Sequence, residues 1–159
     1  MVKIKNPYND LPGYNCFGCS SKNPIGLHLE FELVDNAVVT HWLPTNDYQG
    51  WDNVLHGGII STLLDEAASW AVQAFLDTCG VTSQLNVSFL KPVLIDKGKV
   101  RVEARLKSQP DSRHAILAAR LYDAESSLCA VAEVTYYIYS QEEAIGKFNY
   151  CGRQKLGLE

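Results

Sequence analysis

The chain has 159 residues, of which 47% are hydrophobic and 20% are charged. This composition is typical of one globular domain and excludes a disordered or fibrous protein. The formal net charge is −4, which excludes a general nucleic-acid-binding protein because phosphate contacts need clustered positive charge. No apolar segment approaches the ~20 residues of a membrane span. We therefore expect neither a nucleic acid nor a membrane as a partner.

The N-terminal part of the chain differs in composition from the rest. Residues 1–26 are rich in Asn, Pro, Gly and Tyr, which predicts an irregular extension lying over a domain. We predict a single domain over residues 27–140 and a polar, peripheral tail over residues 141–159. The start of the chain has no apolar stretch of the signal-peptide type, and the cysteine count is five. An odd count without a signal peptide indicates a reducing compartment, so we expect a cytoplasmic protein.

Two of the cysteines form a Cys-x-x-Cys motif, Cys16 and Cys19, in the extension. Such a pair can be half of a zinc site, but no second pair with ligand spacing follows it. A redox motif of the thioredoxin type would open a helix after a strand, whereas Asn-Pro-Ile-Gly follows here at residues 23–26. Structural loop cysteines, a metal site and a redox pair all stay open. We favour the structural role and expect no metal.

Alternating apolar residues predict the first strands of the domain. The alternation over residues 27–33 predicts a half-buried strand, and the turn pair at residues 35–36 connects it to a second strand over residues 37–43. A loop over residues 44–54 follows. The strands on the two sides of the turn pair are expected to form a hairpin.

One long segment has helical periodicity. Apolar residues recur at i, i+3, i+4 and i+7 spacing, which predicts a helix from about Gly57 to about Leu76, with Gly80 as a stop signal. Asp65 lies well off the apolar face of this helix. Glu66 points in another direction, and we expect its side chain to be solvated.

The rest of the domain is predicted to be strands over residues 84–90, 99–107, 114–122 and 128–139, with turns at residues 109–112 and 123–126. One apolar helix cannot close a core by itself, but an antiparallel sheet that curves around it can. The predicted fold class is therefore α+β, with a curved antiparallel sheet wrapped around one long central helix.

The start of the predicted helix and Asp65 are the candidates for chemistry. Adjacent glycines at residues 57 and 58 are costly in a helix unless the backbone approaches something closely. The free N–H groups there favour an anion or an oxyanion. Gly58 and Asp65 are seven residues apart, or about 10 Å along a helix. One subunit therefore cannot supply both to the same carbonyl group, but two antiparallel helices in a two-fold dimer could.

The segments HGGIISTLLDEA at residues 56–67 and GVTSQLNVSFLKP at residues 80–92 resemble the hotdog-fold thioesterases. The similarity is to the PaaI-like acyl-CoA thioesterase group of the 4HBT superfamily in particular. The leader CFGC at residues 16–19, with NPIGL at residues 23–27, is similar to an extension found in part of that superfamily. The resemblance covers about residues 15–140. It implies a hotdog fold, hydrolysis of an acyl- or aryl-CoA, no organic cofactor or metal, and a homodimer or a dimer of dimers.

The resemblance also implies roles for individual residues. Asp65 would be the general base or the nucleophile, the Gly58 amide would polarise the thioester carbonyl, and His56 would orient the loop and the substrate. Some members have an amide side chain upstream of the glycines, where this chain has Gly50, with Asn53 nearer. Thr82 and Ser83 match the polar stretch that enters the next strand. The resemblance thus implies that Asn53, Gly57, Thr82 and Ser83 contact the substrate.

Residues 91–120 carry eight basic and three acidic side chains, a local excess of positive charge in an acidic chain. Coenzyme A carries a diphosphate and a 3′-phosphate, which such a strip would suit. Lys91, Arg113 and His114 lie at predicted strand ends and are our candidates for phosphate contacts. Two alternatives to a thioesterase stay open: a hotdog-fold hydratase or dehydratase acting on an acyl thioester, and a non-catalytic acyl-CoA-binding module.

Overall fold

The computed structural model describes residues 1–159, and its seven strands form one antiparallel sheet. The sheet order is β1-β2-β3-β5-β6-β7-β4, so that β1 and β4 are the two edge strands. The strands are β1 (Val2–Ile4), β2 (Phe31–Val34), β3 (Ala37–Trp42), β4 (Gly80–Phe89), β5 (Val100–Asp111), β6 (His114–Tyr122) and β7 (Leu128–Ile138).

A single long helix, α1 (Gly57–Leu76), lies against one face of this sheet. Its bounds are those that the helical periodicity predicts. Its apolar face packs on β3, β4, β5, β6 and β7, and the small alanines on that face allow the helix to approach the strands closely. The residues of α1 with no more than 1% exposure are Leu63, Leu64, Ala67, Ala68, Ala71, Val72 and Ala74. The predicted α+β architecture, with a curved antiparallel sheet around a central helix, is confirmed.

Several element boundaries differ from the predictions for local reasons. The strand predicted from residue 27 begins only at Phe31, because His28 has a positive φ of 53° and interrupts the extended chain. Helix α1 ends at Asp77, which adopts the left-handed conformation, whereas the predicted stop residue Gly80 begins β4. Strand β5 continues through Pro110, so the turn to β6 lies at residues 112–113.

The chain after residue 140, predicted to be a peripheral tail, folds onto the domain. It forms α2 (Gln141–Phe148), which begins with a capping box between Ser140 and Glu143, and then a 3₁₀ turn (Arg153–Leu156). Tyr150 donates a hydrogen bond to Asp77 Oδ1 over 2.8 Å, which attaches the tail to the end of α1. The tail residues that enter the main hydrophobic core are Ala144, Tyr150, Leu156 and Leu158.

The N-terminal extension packs on the side of α1 that the sheet leaves uncovered, and it also packs on the sheet. It contributes the edge strand β1 and a 3₁₀ turn (Pro7–Asp10) and is otherwise irregular. Tyr8 donates a 2.6 Å hydrogen bond to Gln73 of α1, and Cys19 is buried in the main core. Another 3₁₀ turn, Asn46–Tyr48, precedes α1, and a further one, Ile95–Lys97, precedes β5. No helix is both long enough and apolar enough to cross a membrane.

Candidate active site

The start of α1 is capped by the histidine that precedes the two glycines. His56 Nδ1 accepts a 2.8 Å hydrogen bond from the Gly58 N–H. The His56 carbonyl accepts from the N–H groups of Ile59 and Ile60. The predicted oxyanion donor, the Gly58 amide, therefore already has an acceptor. The Gly57 N–H has none within the protein, so it is the amide at this helix start that is free to bind an oxyanion.

The two glycines have different neighbours, and an added side chain would be crowded only at Gly58. A Cβ atom at Gly58 would lie only 3.0 Å from His56 Nδ1 and would crowd the capping imidazole. A Cβ atom at Gly57 would lie 3.5 Å from the ring of Phe89, at the end of β4. A methyl group at Gly57 would therefore be in ordinary van der Waals contact with an aromatic side chain of the edge strand.

A cleft of about 350 Å³ opens beside the helix start. His56, Gly58 and Gln49 line it, whereas Asn53 does not. The Asn53 side-chain oxygen instead accepts a 3.0 Å hydrogen bond from the Asp96 N–H, in a backbone conformation with a positive φ of 59°. Asn53 thus joins the loop before α1 to the turn before β5. The amide side chain at the cleft belongs to Gln49, which sequence reasoning missed.

Asp65 is held by two hydroxyl groups. Thr82 and Tyr136 each donate a 2.7 Å hydrogen bond to Asp65 Oδ1, and the Tyr136 oxygen is equally close to the Asp65 carbonyl oxygen. Asp65 Oδ2 receives no hydrogen bond from the protein, and Asp65 is only partly buried. One carboxylate oxygen is thus fixed, while the other is available to a water molecule or a substrate.

Tyr136 was absent from the predicted site. It is 1% exposed, and burial, together with the nearby Asp65 carboxylate, raises its pKa far above the ordinary value. It therefore stays protonated and acts as a donor over the whole working pH range. Its signal in the sequence was weak: it occupies an inward position of a strand, and a buried tyrosine hydroxyl needs a polar partner.

The strand that carries Thr82 is irregular next to Asp65. The pairing of β4 with β7 shifts between Thr82 and Gln84, which leaves Ser83 in a β-bulge. The Ser83 hydroxyl donates to the Thr135 carbonyl over 3.1 Å. Bulges are frequent beside active sites because they redirect side chains. Here, the bulge accompanies a contact of Thr82, rather than Ser83, with the carboxylate.

The free amide and the carboxylate are far apart within one protomer. Gly57 and Asp65 are eight residues apart on an uninterrupted helix, which corresponds to about 12 Å along its axis. A carboxylate and an oxyanion donor must both approach one carbonyl group to within about 3 Å. A single protomer therefore contains two half-sites rather than one complete site.

The edge strand β4 leaves apolar side chains uncovered on the helix side of the sheet. Leu85 and Phe89 pair with Val134 and Ala130, whose side chains face α1. Leu85 and Phe89 are nevertheless 37% and 55% exposed. Strand β4 pairs with β7 on one side only. An edge ten residues long with exposed apolar side chains is usually covered by another chain.

The three cations predicted to bind phosphate do not come together. The Lys91 N–H bonds to the carbonyl at one end of β7, whereas His114 pairs with Tyr137 near the other end. These ends are about 26 Å apart at 3.3 Å per residue. Lys91 pairs with Asp123 at 3.3 Å, while Arg113 and His114 pair with Glu143 and Asp111 at 2.6 and 2.9 Å, respectively. Lys97 and Lys99 have no acidic partner, and Lys97 ends the turn that contacts Asn53.

Comparisons with known proteins agree with this fold. Residues 52–130 match the model of the Thioesterase superfamily. A hypothetical thioesterase from Streptococcus pneumoniae, solved with coenzyme A, has a TM-score of 0.64 and 22% identity over 71% of this chain and 90% of that one. The PaaI protein of E. coli, from the phenylacetic acid degradation operon, has a TM-score of 0.64 and 17% identity over 72% and 82% of the two chains. At these identities the structures establish the fold.

A curated relative is more similar in sequence over a shorter region. The putative esterase SSO1253 of Saccharolobus solfataricus is 38% identical over 90 residues, which are 55% of this chain and 57% of that protein. The match therefore spans little more than half of the relative's length. Together with the family model and the sheet topology, this relative shows that the chain has a hotdog fold and resembles the thioesterases. The predicted resemblance is thereby confirmed.

Proposed function

We propose that the protein is an acyl-CoA thioesterase that hydrolyses an acyl or aryl thioester to the free acid and coenzyme A. The observation that carries the proposal is the half-fixed carboxylate of Asp65, with Oδ1 bound by two hydroxyls and Oδ2 free. The match of residues 52–130 to the Thioesterase superfamily model supports the reaction class. Coenzyme A in the similar pneumococcal structure supports the thiol portion of the substrate. No metal or organic cofactor is required by this chemistry.

In the proposed reaction, Asp65 Oδ2 removes a proton from a water molecule, and the resulting hydroxide attacks the thioester carbonyl carbon. The carbonyl oxygen becomes an oxyanion and is bound by the Gly57 N–H at the start of a helix. When the tetrahedral intermediate collapses, the C–S bond breaks and the thiolate leaves, taking up the proton. Thr82 and Tyr136 fix the orientation of the carboxylate throughout. Direct attack by Asp65 on the carbonyl carbon, with an anhydride intermediate, is the alternative chemistry.

Both half-sites are proposed to be completed by dimerisation. Two copies related by a two-fold axis would place Gly57 of one α1 beside Asp65 of the antiparallel α1 and would form two sites. The unpaired edge of β4 and the exposed Leu85 and Phe89 support an interface on this side. A second pairing, to a dimer of dimers, remains a further proposal.

The proposal for the nucleotide end of the substrate follows the position of the cations. Lys91 and Lys97 lie at the end of the sheet that also carries the start of α1, and Lys97 has no acidic partner. Arg113 and His114 lie at the other end of the sheet in the same protomer. We therefore assign the phosphates to Lys91, Lys97 and the neighbouring Lys99. Arg113 and His114 could contribute only from the partner of the dimer.

The hydratase alternative would require His56 to act as an acid–base group. Because His56 Nδ1 accepts the Gly58 N–H, the neutral ring carries its proton on Nε2 and has no free basic nitrogen. This arrangement favours a capping and orienting role for His56. It also disfavours proton abstraction from an acyl chain by this residue.

The test is release of free thiol from a panel of aliphatic and aryl acyl-CoAs by the wild type and by Asp65→Asn. We expect turnover by the wild type and a loss of at least about a thousandfold in kcat for the variant, because the base is removed. A wild type that binds acyl-CoA but releases no thiol would make the protein a binding module. Hydration of an enoyl-CoA without thiol release would favour the hydratase. Single-turnover reaction in ¹⁸O water, followed by mass analysis of the Asp65 peptide, separates the base from the nucleophile.

A further inference from the structure

Two thiols and a carboxylate cluster where the N-terminal extension packs on α1, and the proposed hydrolysis does not use them. Cys16 Sγ lies 3.2 Å from Cys19 Sγ and 3.6 Å from Glu66 Oε1. The two sulfur atoms and a carboxylate oxygen of Glu66 all lie within 4.8 Å of one another. The indole N–H of Trp70 donates to Glu66 Oε1 over 3.2 Å. The motif at residues 16–19 thus packs against the Glu66 carboxyl group of the central helix.

Glu66 is covered by the extension, which overturns the prediction of a solvated side chain. A Cβ atom at Gly18 would lie only 2.5 Å from Glu66 Cδ, so the glycine in the motif lets the loop close over the carboxyl group. Burial raises the pKa of Glu66 to about 7. The group can therefore accept and release a proton near neutral pH.

The two thiols have different environments. Cys19 is 5% exposed, its sulfur lies 2.9 Å from the Tyr14 hydroxyl, and its S–H donates to Cys16 Sγ. The Cys19 N–H also points at Cys16 Sγ, at 3.4 Å. These hydrogen bonds lower the pKa of Cys16, while the same thiol–thiol contact and burial raise that of Cys19. Cys16 is thus the thiolate of the pair, and Cys19 is the buried thiol.

Small molecules can reach the cluster through a cleft of about 230 Å³. Cys16, Cys19 and Glu66 line this cleft, and Tyr8 and Tyr14 form part of its wall. Cys16 is partly exposed, whereas Cys19 is buried behind it. This order presents the thiolate first to an incoming reagent.

We propose that Cys16 and Cys19 are a redox-active dithiol that exchanges reversibly with small-molecule disulfides. The Cys16 thiolate attacks one sulfur of the disulfide, forms a mixed disulfide and releases one thiolate. Cys19 then gives its proton to Glu66 and attacks Cys16 Sγ, which forms the Cys16–Cys19 disulfide and releases the second thiolate. Two protein thiols are oxidised, and one disulfide is reduced to two thiols. The site is separate from Asp65 and does not depend on the proposed hydrolysis.

A zinc site is the competing interpretation of the same groups, and the geometry favours the dithiol. Structural zinc sites have four protein ligands, whereas only three donors converge here. Two thiolates on a tetrahedral zinc lie roughly 3.8 Å apart, given Zn–S bonds of about 2.3 Å. The 3.2 Å separation in this structure is shorter. The distance between the two sulfur atoms needs to shorten by only about 1 Å to reach the S–S bond length.

The chain allows a direct test in the wild type. Trypsin cleavage after Lys5 and Lys22 releases one peptide, residues 6–22, that contains both cysteines and no others. The protein is equilibrated in glutathione buffers of varied ratio, quenched with acid, alkylated and digested. We expect this peptide to lose both alkyl groups reversibly as oxidised glutathione increases. Full alkylation at every ratio, or only glutathione adducts without an internal disulfide, would overturn the proposal.

Variants resolve the two steps and the metal alternative. Cys19→Ser should accumulate the mixed disulfide on Cys16, and Glu66→Gln should slow the second step at pH 7 by about tenfold or more. Cys79→Ser is the matched control and should behave as the wild type. Circular dichroism checks the fold of each variant, and the wild-type titration does not depend on them. Stoichiometric zinc in the purified protein, with thiols that react only after chelation, would overturn the dithiol assignment.

Discussion

The hydroxyl of Tyr136 lies 2.7 Å from Asp65 Oδ1. Strand β7, which lies between β6 and β4 in the sheet, thus holds the carboxylate of the central helix. Thr82 of the edge strand donates to the same oxygen. Three elements that are distant in sequence therefore determine the direction of the free oxygen, Oδ2. This arrangement is the basis of the first prediction.

Tyr136→Phe should lower kcat for thioester hydrolysis by about 10- to 100-fold, the usual consequence of losing one hydrogen bond to a charged group. KM should change little, because the hydroxyl orients the carboxylate rather than the substrate. Steady-state kinetics on the best substrate of the acyl-CoA panel measure both constants. Tyr122→Phe is the matched control, since its hydroxyl makes only a 3.4 Å contact with Glu103. Equal losses in both variants would contradict the role of Tyr136.

Gly57→Pro tests the oxyanion donor without a change of fold. Proline is well tolerated at the first position of a helix and removes the N–H, while its ring adds carbon atoms beside Phe89. The preceding residue, His56, has φ −60° and ψ 133°, which proline accepts. We expect a loss of about 100- to 1000-fold in kcat. Gly57→Ala keeps the N–H and adds one methyl group 3.5 Å from Phe89, so it should retain most of the activity; similar rates in both variants would point to another donor.

Leu85→Lys tests whether the two half-sites meet across the β4 edge. A charge on this partly exposed apolar position should break the interface, because the lysine would be desolvated on association. We expect sedimentation velocity to show monomers and thiol release to fall by at least about tenfold. Ile145→Lys on α2 is the control, because this apolar residue is also exposed, at 57%, but belongs to a helix and not to the edge strand. A monomeric variant, or a monomeric wild type, with full activity would refute the shared site.

Glu66 should make the stability of the reduced protein depend on pH. Its folded pKa, raised by burial to about 7, exceeds the unfolded value of about 4.3. The folded state then binds the extra proton, so the free energy of unfolding should fall as the pH rises from about 4.5 to 7. The fall should be about 3 kcal/mol.

The control for this pH dependence must account for the groups that face Glu66. These are Cys16, Cys19 and Trp70, of which the Cys16 thiol has a lowered pKa and contributes in the opposite direction. Urea unfolding is therefore compared between Cys16→Ser and the double variant Cys16→Ser/Glu66→Gln. We expect the free energy of unfolding to fall with rising pH in Cys16→Ser and not in the double variant. Parallel curves would show that the Glu66 carboxyl does not titrate in this window.

Hydrophobic periodicity alone determined the bounds of those helices and strands whose apolar residues all face the core. Helix α1 and β6 have their predicted bounds, because their apolar faces meet the core along their whole length. The predicted turn at residues 35–36 joins β2 to β3 as expected. The motif around Gly57 and Asp65 was also visible in sequence, since a helix start and a mid-helix carboxylate are local features.

Only the tertiary structure decided which groups meet. The pairing of Tyr136 and Thr82 with Asp65 depends on the sheet register, and the occupation of the Gly58 amide depends on the orientation of the His56 ring. Glu66 lies beside Asp65 in sequence, yet the extension buries it against Cys16. Spacing along a chain predicts which face a side chain occupies, but the partner on that face comes from residues far away, and burial by that partner then sets the chemistry.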